Sequence, residues 1–126
     1  MKDFDKDNDL RKRTKAFALR IIRMASAMPR STAAEILSRQ VLRSGTSVGA
    51  HYREACRSRS VAEFISKMEG ALQELDETAY WLELLADSCI VAPKRLADLC
   101  QETDELIAIF TASVKTAKRN RRRNDE

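Results

Sequence analysis

Residues 60–87 read SVAEFISKMEGALQELDETAYWLELLAD, and this stretch decides the fold class. Its apolar residues recur at alternating four- and three-residue steps: Val61, Ile65, Met68, Leu72, Leu75, Ala79, Leu82 and Ala86. Because an α-helix has about 3.6 residues per turn, this spacing places all of these side chains on one face. The stretch therefore predicts a long amphipathic helix whose apolar stripe packs against other helices.

Helical spacing continues on both sides of this stretch. The predicted helices cover about residues 9–28, 32–57, 60–87 and 93–118, and a basic disordered tail follows at 119–126. Pro29 ends the first helix, because the residue before a proline avoids helical geometry. Ser31 or Thr32 caps the second helix, and Ser58 or Ser60 caps the third, because a hydroxyl there accepts from exposed backbone N–H groups.

Two glycines, Gly45 and Gly49, fall inside the second predicted helix. Each lowers helix stability by about 1 kcal/mol relative to alanine, so propensity alone would break the helix there. The apolar positions Val41, Val48 and Ala55 nevertheless stay seven residues apart, which keeps them on one face. We therefore predict an unbroken helix whose small face lets another helix approach closely, within the chain or at an oligomer interface.

The composition agrees with a single all-α domain covering residues 1–126. The chain has only three glycines and two prolines, whereas sheet proteins of this size need many turns built from them. Short connections make consecutive helices antiparallel, so we predict an antiparallel up-and-down four-helix bundle. The sequence has an odd number of cysteines without a Cys-x-x-Cys pair, no signal-peptide pattern and no apolar run long enough to span a membrane. These features predict a cytoplasmic protein.

Charge is segregated along the chain. Residues 10–59 hold twelve Arg and Lys against two acids, whereas residues 60–113 hold three basic residues against eleven acids. The two halves can neutralise each other within or between copies of the chain. The basic half can also face a polyanion.

Six arginines on the first two helices are candidates for binding nucleic acid. They are Arg20, Arg23, Arg39, Arg43, Arg53 and Arg57. The last four form two pairs spaced by four residues, which stacks their guanidinium groups on one face where they can follow successive phosphates. The alternative is a solvated face, or ion pairs with the acidic third helix.

No catalytic residue, metal site or cofactor is predicted. Di-iron bundles need Glu-x-x-His pairs, and no acidic residue lies three positions before the single histidine, His51. We expect Glu54 to pair with an arginine such as Arg43 or Arg57, or with Lys67. His51 and Cys56 lie about 140° apart on a helix and do not meet, and we expect the three cysteines to be small buried residues.

Tyr80 and Trp81 lie beside the main apolar stripe of the third helix. Large aromatic side chains at such an edge commonly anchor a neighbouring subunit. We therefore assign Tyr80 and Trp81, with Gly45 and Gly49, to an oligomer interface.

The sequence also resembles a known family. The resemblance rests on QVLRSGTSVGAHYREA at residues 40–55, on AEFISKM at 62–68 and on ELDETAYWLELL at 74–85, and it extends over about residues 10–115. These motifs resemble the bacterial four-helix-bundle family encoded in the intervening sequences of some 23S ribosomal RNA genes. The accessory variability protein of diversity-generating retroelements is a relative of that family. One departure is His51, at a position where the family has Asn.

The resemblance implies an up-and-down bundle that assembles into a ring-shaped homopentamer. The retroelement relative binds nucleic acid through a basic surface and works with a reverse transcriptase, so RNA or DNA and a reverse transcriptase become candidate partners. We expect a non-catalytic adaptor that binds nucleic acid without sequence specificity. The alternative is a structural assembly protein without a nucleic-acid ligand.

Overall fold

The structure is a computed structural model that describes the backbone of residues 2–125 and the side chains of residues 7–124. Its helices are α1 (Lys2–Ser26), α2 (Thr32–Cys56), α3 (Val61–Asp87) and α4 (Pro93–Asp125). No strand occurs within that part of the chain. The predicted all-α four-helix bundle is confirmed.

The two terminal helices are longer than predicted. α1 begins at Lys2 instead of residue 9, and α4 continues to Asp125, so the prediction of a disordered tail from residue 119 is wrong. Once packing has nucleated a helix, each further residue adds a hydrogen bond while fixing only one φ/ψ pair. Arg122 and Arg123 lie in the last turn of α4, where positive charge is favourable beside the exposed carbonyl groups.

The inner helix ends follow the predicted caps. Ser31 Oγ accepts a hydrogen bond from the N–H of Ala34 at 3.1 Å, and Ser60 Oγ accepts one from the N–H of Glu63 at 3.0 Å. The Glu63 carboxylate accepts in turn from the N–H of Arg59 at 3.2 Å. These bonds satisfy backbone donors that a helix start leaves free.

α2 runs without a break through both glycines, as predicted. A Cβ atom at Gly45 would lie 2.8 Å from Ile21 Cγ1, and one at Gly49 would lie 3.1 Å from Thr14 Oγ1. Ile21 and Thr14 belong to α1 of the same chain. The small face of α2 therefore allows α1 to approach closely inside the protomer.

The core fills the space between all four helices. Its largest fully buried side chains are Phe17, Ile21, Met68, Leu75, Leu82, Leu85, Leu96, Leu106 and Phe110. Two polar residues within the core are paired across α2 and α3, where the hydroxyls of Ser44 and Thr78 lie 2.8 Å apart. Thr78 also bonds to the carbonyl of Glu74 at 2.8 Å, which satisfies its second hydrogen-bonding site.

Helices that follow each other in the chain pack closely side by side, whereas the contact between α1 and α4 is much smaller. Arg13 of α1 bridges this seam, because its Nη2 and Nε lie 2.7 and 2.9 Å from the Glu102 carboxylate of α4. Glu105 adds a third contact at 3.1 Å. Further along the seam, a cleft of about 790 Å³ opens between the two helices.

No helix among the described residues is both long and apolar enough to cross a membrane.

Candidate nucleic-acid interface

Arg39, Arg43 and Arg53 lie on the outward face of α2, and Arg57 is the residue that caps its C-terminus. The residues that α2 buries are Ala34, Val41, Ser44, Gly45, Val48, Tyr52 and Ala55. Arg39, Arg43, Arg53 and Arg57 point away from this set and are exposed. On α1, Arg23 is exposed and Arg20 is half-buried.

Arg43 is tied to the acidic α3. Its Nη2 lies 2.7 Å from Glu77 Oε2 and its Nη1 lies 3.5 Å from Glu74 Oε2. The hydrogen bond to Glu77 raises the pKa of Arg43, with Glu74 adding to the effect. For Arg43 the structure therefore favours the ion-pair interpretation over a free phosphate contact.

Arg39 has a weaker partner on its own helix. Its Nη2 lies 3.7 Å from Glu35 Oε1, and both side chains are more than two-thirds exposed. Such a pair has little effect on stability and is screened by salt. Arg39 can therefore exchange Glu35 for a phosphate at little loss.

The other four predicted arginines have no such partner. Arg20, Arg23, Arg53 and Arg57 form no ion pair with any carboxylate of residues 7–124. Arg53 and Arg57 are one helical turn apart, so their side chains point the same way and can meet phosphates along one strand. Among the described side chains, four of the six arginines therefore have no ion-pair partner, Arg39 has a weak one and Arg43 has a close one.

Glu54 pairs with Lys67 of α3, one of the partners predicted for it. The two charged groups are 2.9 Å apart, and the hydrogen bond from Lys67 lowers the pKa of Glu54. The described residues contain no group of three His, Cys, Asp or Glu side chains arranged to hold a metal ion.

The cysteines differ from the prediction that they are buried. Cys56 and Cys89 are exposed and Cys100 is half-buried. Cys56 Sγ lies 2.8 Å from Asp7 Oδ1, which also accepts from the Tyr52 hydroxyl at 2.8 Å. Although the residue as a whole is exposed, partial desolvation of its sulfur raises the pKa of Cys56, and the hydrogen bond to Asp7 adds to the effect. The thiol therefore stays protonated and is a poor nucleophile.

The cluster of Asp7, Tyr52 and Cys56 was missed at the level of sequence. Asp7 is in the stretch that was predicted to precede the first helix, so its position relative to Tyr52 and Cys56 of α2 could not be predicted. Only the longer α1 brings its carboxylate to the end of α2. The cluster lines the cleft between α1 and α4.

Tyr80 and Trp81 remain candidates for an oligomer interface. Tyr80 is 54% exposed, and its ring centroid lies 5.3 Å from that of Trp81. Trp81 packs against the core, and its Nε1 is buried without a hydrogen-bond partner in the described part of the chain. Gly45 and Gly49 instead meet α1 of their own chain.

Comparison with known proteins relates this architecture to one family. A search of curated proteins found none that matches the chain. Among solved structures, the chain is similar to a protein of unknown function from the S23 ribosomal protein family of Bacteroides thetaiotaomicron VPI-5482. The two share 34% sequence identity with a TM-score of 0.81, over 87% of this chain and 98% of that one. The family model described as 23S rRNA-intervening sequence protein matches residues 6–112, and the chain therefore belongs to that family.

Proposed function

We propose that this protein is a non-catalytic, homo-oligomeric adaptor that binds nucleic acid through a basic surface without reading its sequence. The observation that carries the proposal is that Arg20, Arg23, Arg53 and Arg57 form no ion pair with the carboxylates of residues 7–124. Unpaired guanidinium groups on a rigid helical surface suit phosphate oxygens, which they can contact with two parallel hydrogen bonds. Contacts to phosphate give affinity and orientation but carry no sequence information.

Assembly into a ring of five copies, as the family resemblance implies, would repeat these arginines around the ring. Repetition raises the strength of binding to a long polyanion without any new contact type. Exposed Tyr80 and its neighbour Trp81 supply an aromatic pair at the edge of the protomer for contacts between copies. Light scattering should give about five times the 14.3 kDa mass of one chain. A monomer at micromolar concentration would refute the assembly.

The test of binding is a titration with RNA and with DNA at two salt concentrations. The logarithm of affinity should fall with the logarithm of salt by about 0.9 per phosphate contact on duplex DNA, or about 0.7 on single strands. Changing Arg53 and Arg57 together to Gln should reduce this slope. Changing Arg39 and Arg43 is a weaker test, because it also removes the ion pairs of Arg43 with α3.

The second candidate is a structural assembly protein without a nucleic-acid ligand. The pairing of Arg43 with Glu74 and Glu77 favours it, because here a basic residue of α2 neutralises acidic residues of α3 instead of remaining available to a polyanion. If neither RNA nor DNA binds at low salt while the oligomer forms, this second function replaces the first. Binding to a reverse transcriptase, which the resemblance also suggests, is tested separately by co-purification.

A further inference from the structure

One end of the bundle gathers arginines that are distant in sequence. The end of α2, the connection between α2 and α3 and the end of α4 meet there. We name this set the basic end: Arg57, Arg59, Arg119, Arg121, Arg122 and Arg123. All six side chains are exposed.

The contacts of α4 place these arginines near one another. Arg59 borders the same surface hollow as Ala117 and Asn120 of α4. Arg121 borders a second hollow with Ala62 and Ser66, which are in the first turns of α3. The end of α4 therefore lies beside the connection that carries Arg59.

Three of the carboxylates described near this end already have partners. Glu69 pairs with Lys118 at 3.4 Å, and Glu63 accepts from the N–H of Arg59. Asp7 accepts from Tyr52, Cys56 and Arg11. None of the six arginines of the basic end pairs with a carboxylate of residues 7–124.

The end of α4 is helical, and this fixes the directions in which its arginines point. Successive residues on a helix are rotated by about 100°, so Arg119, Arg121, Arg122 and Arg123 point to several sides of the axis. Arginines this close repel one another, and a bound polyanion removes that repulsion. The arrangement suits a strand that passes around the end of the helix better than one lying along a single face.

We propose that the basic end is the principal phosphate-binding surface, and that a nucleic-acid strand runs from Arg53 and Arg57 on α2 over Arg59 to the end of α4. This inference rests on the proposed function and assigns its principal contacts to the end of the bundle opposite Arg23, which lies near Arg95. The bound chemistry is the phosphate backbone, since guanidinium groups are the charged groups that this surface offers.

The experiment measures binding of the full chain to duplex DNA and single-stranded RNA between about 50 and 200 mM salt. Six phosphate contacts give a slope of about −5 on duplex DNA, which is about a thousandfold loss of affinity over this range. Arg59→Gln should reduce the slope by about one contact, and R121Q/R122Q by about two. The matched control is K94Q/R95Q, which removes two exposed charges from the start of α4 at the opposite end, near Arg23, and so tests whether the basic end is the principal surface.

Hydrogen exchange provides a second readout, since bound nucleic acid should slow exchange of the amides of residues 119–125. The inference is overturned if Arg59→Gln leaves the slope unchanged while R121Q/R122Q reduces it, because an arginine-rich segment then binds independently of the bundle. It is also overturned if K94Q/R95Q weakens binding as much as R121Q/R122Q does, or if an acidic peptide displaces the nucleic acid at equal charge concentration. A wild-type chain that binds neither probe at about 50 mM salt refutes the proposed function itself.

Discussion

Replacing Gly45 with alanine tests the close approach of α1 to α2 at this position. The added Cβ would lie 2.8 Å from Cγ1 of Ile21, 3.0 Å from its Cγ2 and 3.2 Å from its Cδ1. Ile21 is fully buried, and its β-branched side chain has little freedom at χ1. The clash can therefore be relieved only if α1 moves away from α2 or Ile21 leaves its preferred rotamer.

Two effects of opposite sign determine the change in the free energy of unfolding. Alanine is better than glycine in a helix interior by about 1 kcal/mol. Overpacking a well-filled core costs about 1–3 kcal/mol. We expect the steric effect to dominate, so that Gly45→Ala lowers the free energy of unfolding by about 1 kcal/mol, which corresponds to about 4 °C in Tm for a domain of this size.

Gly70→Ala is the matched control, because it offers the same gain in helix propensity. Its Cβ would lie 3.2 Å from Cε1 and Nδ1 of His51. His51 is only half-buried, so its ring can shift by a few tenths of an ångström. We expect Gly70→Ala to leave stability unchanged or to raise it by up to about 1 kcal/mol.

The assay is urea unfolding followed by circular dichroism, and a double-mutant cycle with Ile21→Ala isolates the contact. Ile21→Ala alone should destabilise by about 2–5 kcal/mol because it leaves a cavity. In that background Gly45→Ala should become stabilising, since the clashing atoms are gone and only the propensity gain remains. If Gly45→Ala stabilises the wild-type chain as much as Gly70→Ala does, α1 and α2 are not packed at this distance and the reasoning fails.

Three further predictions concern the contact between α1 and α4, the turn between α3 and α4 and the start of α1. Arg13→Met should lower the free energy of unfolding by about 1 kcal/mol because it breaks the two hydrogen bonds with Glu102. Arg39→Gln, the control, should change it by under about 0.5 kcal/mol, and equal effects of the two variants in thermal melts would contradict this prediction. Cys89 has a φ of 59°, which is strained for a residue with a side chain. Cys89→Gly should therefore raise the free energy of unfolding by about 0.5–1 kcal/mol, whereas Cys89→Ala, the control for losing the thiol, should not. Hydrogen bonds from Cys56 and Tyr52 lower the pKa of Asp7, so its contribution to stability is present above the unfolded-state pKa and is lost as the pH falls through the folded-state value. The urea midpoints of wild type and Asp7→Asn should therefore differ at about pH 6 and converge below about pH 4, and midpoints that stay equally far apart at low pH would show that Asp7 stabilises the fold in some other way.

The candidate arginines could be found from sequence, but which of them form ion pairs with acidic residues could not. Charge and spacing identify Arg39, Arg43, Arg53 and Arg57 as one outward face, and the structure confirms that all four are exposed. Which of them is free depends on the rotation of α3 against α2, which brings Glu74 and Glu77 to Arg43. Sequence periodicity defines which face of a helix is buried, but it does not define which polar residues meet across the boundary of two helices.

The basic end also could not be predicted from sequence, because its residues are distant from one another along the chain. Arg59 and Arg121 are 62 positions apart, and no local pattern relates them. The tail was predicted to be disordered because it lacks an apolar side, and this criterion ignores the gain from extending a helix that packing has already nucleated.

The sequence by itself determined the helices, their caps and the all-α class, because these depend on the spacing of apolar residues and on hydroxyls at fixed offsets from a helix start. It also determined that α2 continues through Gly45, because the apolar phase is kept across it. Only the tertiary structure decided that Gly45 faces Ile21, that Cys56 meets Asp7 and that the end of α4 lies beside Arg59. Those pairings depend on the relative rotation and axial position of the helices, which are set by packing of side chains from distant parts of the chain.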